Sequence, residues 1–253
     1  MAQQALPVRT ARLGRALGPE PTSVSGVVLL LPGGEESSVR RPSPMMATAS
    51  VRALGRRLAR TGRADGLVAH VVHYRYRGWN GGEAHLAQDA SWAADEAVRR
   101  YGDVTVCLLG YDMGARAALR SAGHEAVNSV VALAPWLPEQ DVATPAEPVR
   151  QLAGRRVLIV HGTNDERNDP ELSFRLAARA KKANRDVCRF EVHSDGHALY
   201  QHRHEVHALT EDFVLGALCG RGFSRPVEDA LQAPPPLGLR MPLATGFGRS
   251  LRR

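Results

Sequence analysis

An aspartate stands at the centre of a tight, glycine-flanked turn, Gly110-Tyr111-Asp112-Met113-Gly114. The apolar run 104–109 precedes this turn and the small residues 115–121 follow it. The sequence therefore predicts a strand, a sharp turn and a helix, which is the context of a nucleophile elbow. The middle residue of such an elbow is held in a strained conformation with positive φ, which Asp tolerates better than most residues. Asp112 is thus a candidate for carboxylate chemistry.

A second acid and a histidine follow in the order that a catalytic triad of this architecture requires. Asp165 ends the segment His161-Gly162-Thr163-Asn164-Asp165, directly after the apolar run 157–160. His197 lies in Asp195-Gly196-His197-Ala198, after another strand-like segment. Because functional groups of α/β sheets gather outside the carboxyl ends of the strands, we expect Asp112, Asp165 and His197 to converge.

With these motifs the chain resembles the α/β-hydrolase superfamily, in particular its small, nearly lidless members of the dienelactone-hydrolase and serine-esterase type. The similarity covers roughly Val24 to Leu218. Its motifs are the elbow, Asp165, Gly196-His197 and Leu31-Pro32-Gly33-Gly34. The sequence departs from the usual pattern in having aspartate where these enzymes have serine.

The resemblance implies a role for each matching residue. Asp112 takes the position of the nucleophile, His197 that of the general base, and Asp165 that of the acid that orients the imidazole. The backbone N–H of Met113 and one from Gly33 or Gly34 would form the oxyanion hole.

Apolar strand-like runs alternate with segments of helical periodicity, which predicts an α/β fold. The resemblance implies that this is the α/β-hydrolase fold, with a mostly parallel central sheet and helices on both faces. The last predicted strand, 187–193, alternates polar and apolar residues, which is typical of an edge strand with one wet face. Only 22 residues run from Pro135 to Arg156, where large cap domains are inserted in this superfamily, and these are too few for a full helical lid. We therefore expect no large cap domain.

Composition divides the chain into a flexible leader (1–24), one α/β-hydrolase domain (25–219) and a disordered Pro/Arg-rich tail (220–253). Of the net charge of +7, residues 1–25 supply three arginines against one glutamate, and residues 221–253 supply six arginines against two acids. Little charge remains for the domain, so a nucleic-acid-binding face is not expected.

The other expectations concern location, cofactors and partners. The chain has neither a long apolar run nor a secretory signal, and its three cysteines lack metal-ligand spacing, which predicts a cytoplasmic protein without a membrane partner. Three histidines near the last domain helix, at 202, 204 and 207, lack companion ligands, so neither a metal nor a cofactor is expected. The expected partner is a small-molecule substrate, and the oligomeric state stays open.

Four aromatic residues near the predicted strand ends are candidates for contacting that substrate. They are Tyr76, Trp79, Tyr111 and Trp136. The alternative is that their rings serve packing at the end of the sheet.

Aspartate at the elbow changes the available reaction. Its attack on an ester would give an anhydride that readily reverts, whereas attack on saturated carbon gives a stable ester. Within the resembled superfamily, haloalkane dehalogenases and epoxide hydrolases use such an aspartate, although they usually have tryptophan after the nucleophile and donors from a cap. Here Met113 follows and the cap is absent.

Three hypotheses remain open from the sequence. The first is a hydrolase in which Asp112 is the nucleophile and His197 with Asp165 activates water, acting on an epoxide, a halide or an activated ester or lactone. The second is a non-hydrolytic cyclase, epimerase or isomerase of specialised metabolism that uses Asp112 and His197 as an acid/base pair. The third is a catalytically inactive binding protein.

Overall fold

The computed structural model describes residues 9–18, 21–42, 46–139 and 146–248. Its strands are β1 (Arg12–Leu17), β2 (Gly26–Leu31), β3 (Leu67–His73), β4 (Thr105–Tyr111), β5 (Val127–Leu133), β6 (Arg156–Gly162), β7 (Val187–Val192) and β8 (Met241–Pro242). They form one eight-stranded sheet in the order β1-β3-β2-β4-β5-β6-β7-β8. Every neighbouring pair is parallel except β1 with β3, so the expected mostly parallel sheet is confirmed.

The described ranges contain the helices α1 (Met46–Thr61), α2 (His85–Tyr101), α3 (Met113–Arg120), α4 (Pro170–Ala183), α5 (Arg203–Leu218) and α6 (Arg225–Gln232), which lie along the sheet. Apolar residues of α2, α3 and α4 pack on one face of the sheet, and those of α1, α5 and α6 pack on the other. The central strands are covered on both sides and consist of aliphatic runs, as in β2, where all six residues are buried. Both faces of the sheet are therefore closed by helices.

The connection from β5 to β6 is short and holds no cap domain. The part of it that the structure describes, 134–139 and 146–155, contains one 3-10 turn, Arg150–Leu152. None of the helices in the described ranges is long and apolar enough to cross a membrane.

The predicted flexible leader is wrong where the structure describes it, because residues Arg12–Leu17 form β1. This strand pairs antiparallel with β3, and it buries Leu13 and Leu17. A bulge between Leu13 and Ala16 breaks the polar/apolar alternation that identifies a strand in a sequence. Residues 1–8 and 19–20 lie outside the described ranges.

The predicted disorder of the tail is also wrong for residues 220–248. Helix α6 buries Val227 and Ala230, and the next segment buries Leu239 and Leu243 and adds β8 beside β7. Strand β7 is therefore not an edge strand, contrary to its alternating pattern. Of the polar residues of that pattern, Arg189 is fully buried and Glu191 is half-buried beside β8, while His193 stays exposed. The many prolines and glycines of the tail hide its structure from sequence patterns.

Arg189 in β7 links the tail to the domain through hydrogen bonds. Its side chain is fully buried, and its guanidinium donates to the backbone oxygen of Leu239, to Ser173 and to Glu191. Removal of the tail would take away the Leu239 acceptor and uncover this guanidinium, while its ion pair with Glu191 in the same strand would remain.

We expect Leu239→Ala to lower the free energy of unfolding by about 2–5 kcal/mol, because the leucine is fully buried and its loss leaves a cavity. The matched control is Leu237→Ala, two residues earlier, where the side chain is 64% exposed and the change should stay within about 0.5 kcal/mol. Urea unfolding of both variants measures the difference. Equal, small effects would show that the tail is not packed on the domain.

Candidate active site

The elbow has the strained geometry that its sequence predicts. Asp112 lies between β4 and α3 with φ 55° and ψ −123°, and its backbone N–H donates to Leu133 O at 3.0 Å. A Cβ on Gly110 would lie 2.2 Å from Gly114 O, and one on Gly114 would lie 2.2 Å from Leu31 O. Both flanking positions therefore require glycine, and Asp112 is fixed at the tip of the turn.

The carboxylate of Asp112 has two hydrogen-bond donors from the loop after β6. Asn168 Nδ2 donates to Oδ1 at 3.1 Å, and Arg167 Nη2 lies 3.5 Å from Oδ2. The Asp112 side chain is 6% exposed, while that of Arg167 is 61% exposed. The carboxylate thus lies under a solvent-facing guanidinium. Sequence analysis missed both donors, and their only signal was their place two and three residues after the predicted acid.

His197 and Asp165 lie beside this carboxylate as predicted. His197 Nδ1 is 3.0 Å from Asp165 Oδ2, and His197 Nε2 is 3.9 Å from Asp112 Oδ1. Because Nδ1 faces a carboxylate, its proton belongs there, and Nε2 is left as the basic nitrogen that faces Asp112. The structure therefore brings the three predicted residues together.

Asp165 has three hydrogen-bond partners in addition to His197. His161 Nε2 lies 3.2 Å from Asp165 Oδ2, and the backbone amides of Arg167 and Asn168 donate to Oδ1 at 2.9 Å each. Burial by itself raises the pKa of Asp165, but the hydrogen bonds from His161, His197 and the Asn168 amide outweigh it and hold the pKa well below its usual range. Burial lowers the pKa of His161, so this ring is a neutral donor.

Tyr111, the elbow residue directly before Asp112, positions the loop that carries His197. Its hydroxyl donates to His197 O at 2.5 Å, and the two rings are 5.2 Å apart between centroids. Burial, followed by the charge of Asp112, raises the pKa of the Tyr111 phenol, so that it remains a hydrogen-bond donor.

The backbone amides expected to form an oxyanion hole lie around the elbow. A Cβ on Gly33 would be 3.1 Å from Asp112 Oδ2, so this backbone approaches the carboxylate closely. Met113 is the first residue of α3, where a helix leaves its amides without an intrahelical acceptor. Among the described residues, no hydrogen bond uses the amides of Gly33, Gly34 or Met113.

Two of the aromatic candidates are buried and pack against other side chains. The Arg116 guanidinium stacks 3.9 Å from the ring centroid of Trp79, and the ring of Tyr76 lies edge-on to His85. The structure gives both rings a packing role, and their contact with a substrate stays a prediction. Trp136 is half-buried, its ring lies 5.1 Å from Arg116, and its backbone N–H donates to Asp112 O at 3.1 Å.

An apolar cavity of about 420 Å³ opens beside Tyr111 and the residues that follow His197. Its walls come from α1, the end of β5 and α5, and include Leu54, Leu133, Leu199 and Val206. His207 also lines it, and burial lowers the pKa of this histidine to about 4, so that it is neutral at neutral pH. The cavity is suited to an apolar group rather than a charged one.

Comparison of the sequence with known families gives one match. Residues 132–217 match the Prolyl oligopeptidase family. This segment includes Asp165, Asn168 and His197 but not the elbow. No curated protein sequence matches the chain significantly.

Solved structures are similar over most of the chain. TT1662 from Thermus thermophilus is 19% identical with a TM-score of 0.59, covering 80% of this chain and 92% of its own. The esterase Pf2001 from Pyrococcus furiosus is 13% identical with a TM-score of 0.57, covering 78% and 82%. A putative alpha/beta hydrolase from Agrobacterium tumefaciens, ATU1826, is 18% identical with a TM-score of 0.56, covering 84% and 94%. The chain has the α/β-hydrolase fold.

Proposed function

We propose that this protein is a hydrolase that uses Asp112 as a covalent nucleophile and His197 with Asp165 to activate water. The observation that supports this is the geometry of three side chains. The Asp112 carboxylate lies at the tip of a strained elbow, 3.9 Å from His197 Nε2, and the other ring nitrogen of His197 is hydrogen-bonded to the buried Asp165. A carboxylate in this position can form an ester with carbon, and the adjacent imidazole can then hydrolyse that ester.

In the first step, Oδ2 of Asp112 attacks a saturated carbon of the substrate. The new bond joins Oδ2 to that carbon, and the bond to the leaving group breaks with its electron pair. Oδ1 keeps its hydrogen bond from Asn168 and becomes the carbonyl oxygen of the ester. The leaving group departs as halide or, from an epoxide, as an alkoxide that remains attached to the same molecule and takes up a proton from solvent.

In the second step, His197 Nε2 takes a proton from water, and the oxygen adds to Cγ of Asp112. The negative charge develops on Oδ1, where the Asn168 amide stabilises it together with the backbone amides near the elbow. The intermediate then expels the alcohol, which receives the proton from His197, and Asp112 releases its remaining proton to solvent to restore the carboxylate. Asp165 stabilises the imidazolium between the two transfers.

Arg167 can act as the hydrogen-bond donor to the leaving group, a role for which this fold has no cap domain. Its guanidinium faces solvent and lies 3.5 Å from the attacking oxygen, so it is close to the position that a leaving group would occupy. A positive group there stabilises the charge that develops on a leaving halide or alkoxide. We assign Arg167 as the electrophile of the first step.

The substrate class follows from the cavity beside the site. The apolar space of about 420 Å³ that Tyr111, Ala198 and Leu199 help to line would hold the alkyl or aryl group of a small organic molecule whose reactive carbon reaches Asp112. Small epoxides and alkyl halides with one apolar arm fit this description.

Trapping of the covalent ester tests the proposal. The His197→Gln variant should accumulate an adduct when incubated with a panel of epoxides and haloalkanes, because attack remains while water activation is lost. Intact-protein mass spectrometry measures the added mass, and peptide mapping should place it on Asp112. His204→Gln, an exposed histidine on α5, is the matched control and should accumulate none.

A second candidate function is proton transfer by Asp112 and His197 without a covalent bond, as in an isomerase or cyclase. The 3.9 Å separation of Asp112 Oδ1 and His197 Nε2 favours it, because two titratable groups that face each other can take a proton from a substrate and return it at another atom. Turnover in ¹⁸O-labelled water separates the two. Hydrolysis through an ester introduces the label into Asp112, whereas proton transfer does not, and absence of both label and adduct would reject the nucleophile role.

A further inference from the structure

A second concave site lies beside β1, the outermost strand at one side of the sheet, between β1, β3 and α1. This basic cleft has a volume of about 540 Å³. Its charged lining is Arg12 and Arg15 from β1, Arg52 and Arg56 from α1, and His73 from β3. Strands β3 and β2 separate β1 from the elbow strand β4, so the basic cleft is distinct from the candidate active site.

Local structure directs the four arginines into one space. Arg12 and Arg15 are three residues apart and would point to opposite faces of a regular strand, but the bulge between Leu13 and Ala16 changes this alternation. Arg52 and Arg56 are four residues apart and share one face of α1. Helix α1 approaches β1 closely because Gly55 has no side chain, which leaves room for Leu17.

No residue that the structure describes neutralises the positive charge of the basic cleft. Among the residues that the structure describes, no ion pair includes any of the four arginines, and no acidic residue lines the cleft. His73 reflects this environment, because burial and then the charges of Arg12 and Arg52 lower its pKa. Concentrated, unpaired guanidinium groups in a concave site favour an anionic ligand.

We propose that the basic cleft binds a small molecule that carries a di- or polyphosphate group. Guanidinium groups bind phosphate oxygens through paired hydrogen bonds, and four of them match a ligand with several negative charges rather than a monocarboxylate. A single concave cleft also suits a small ligand better than a polymer, which needs a basic stripe along the surface.

Pyrophosphate is the probe, titrated into the full chain in low-salt buffer by isothermal calorimetry. We expect saturable binding at one site, weakened at least tenfold in Arg52→Gln/Arg56→Gln and equally in Arg12→Gln/Arg15→Gln. The charge-matched control is Arg60→Gln/Arg63→Gln, exposed residues outside the cleft, which should change the dissociation constant less than twofold. Circular dichroism confirms that each variant is folded.

Three outcomes would overturn the proposal. The first is absence of saturable pyrophosphate binding. The second is equal loss in the control variant, or loss in Arg167→Gln, which would assign binding to general charge or to the active site. The third is tight binding of a single-stranded DNA 12-mer without saturable pyrophosphate binding, which would make the cleft part of a nucleic-acid surface.

Discussion

Replacement of Asp112 by asparagine should reduce kcat by at least about 10⁴-fold on any substrate identified by adduct trapping, as expected for loss of a nucleophile. The amide has the size and shape of the carboxylate, and its oxygen can still accept the hydrogen bond from Asn168 Nδ2. It cannot form the ester, however, because an amide is not nucleophilic enough. Steady-state kinetics measure the loss, and the thermal unfolding midpoint should change little.

The matched control for this prediction is Asp169→Asn. Asp169 caps α4 by accepting from the Glu171 amide at 2.8 Å, and asparagine caps helices about as well as aspartate. Activity and stability should therefore remain close to those of the unaltered protein. More than a tenth of the original activity in Asp112→Asn would reject Asp112 as the reacting group.

A serine at the same position tests the rest of the machinery. The His197–Asp165 pair is already assembled, so Asp112→Ser should hydrolyse p-nitrophenyl esters through an ordinary acyl-enzyme. Such activity would show that the aspartate alone directs the protein away from ester chemistry. A folded Asp112→Ser variant without esterase activity would show that the surroundings have diverged as well, with Arg167 and Asn168 as the first residues to examine.

The predictable part of the site is the part that depends on local sequence. The elbow needs glycine at two positions because backbone atoms lie within 2.2 Å of where a Cβ would stand, so Gly110 and Gly114 identify Asp112 without any tertiary information. Asp165 follows the aliphatic run of β6, and His197 follows β7, whose polar and apolar residues alternate, so both strands are also recognisable from the sequence. All three lie at the same edge because parallel strands direct their carboxyl ends there.

The unpredicted part depends on how segments meet after folding. Asn168 reaches Asp112 and Ala134 O only because the loop after Asp165 turns back over β5, and no motif encodes that path. Trp79 is buried because its loop bonds to another loop, as when the Trp79 amide donates to Glu35 O at 2.8 Å. The two terminal segments lack a strand signal for different reasons, since a bulge interrupts the pattern of β1 and β8 has only two residues, which pair with β7.

Replacement of Arg167 by glutamine should lower kcat about 10²–10³-fold, the range found when one donor to a developing charge is removed. The guanidinium is placed to stabilise the leaving group, so the loss should appear mainly in kcat rather than in KM. Arg175→Gln is the matched control, since both arginine side chains are 61% exposed and Arg175 pairs only with the surface residue Glu171 in the ion pairs of the described chain. This control should leave the kinetics unchanged.

The loss of activity in Arg167→Gln should depend on the leaving group of the substrate. An epoxide develops a localised charge on oxygen and an alkyl iodide a diffuse charge on iodine, so the epoxide should suffer the larger loss in Arg167→Gln. Arg167→Lys, which keeps the charge without the planar fork, should recover part of the activity. An equal loss on both substrates, or a loss confined to KM, would place Arg167 in substrate binding instead. Another group near the elbow would then have to stabilise the leaving group in the first step, because attack by the aspartate requires such a group and this fold has no cap domain to supply it.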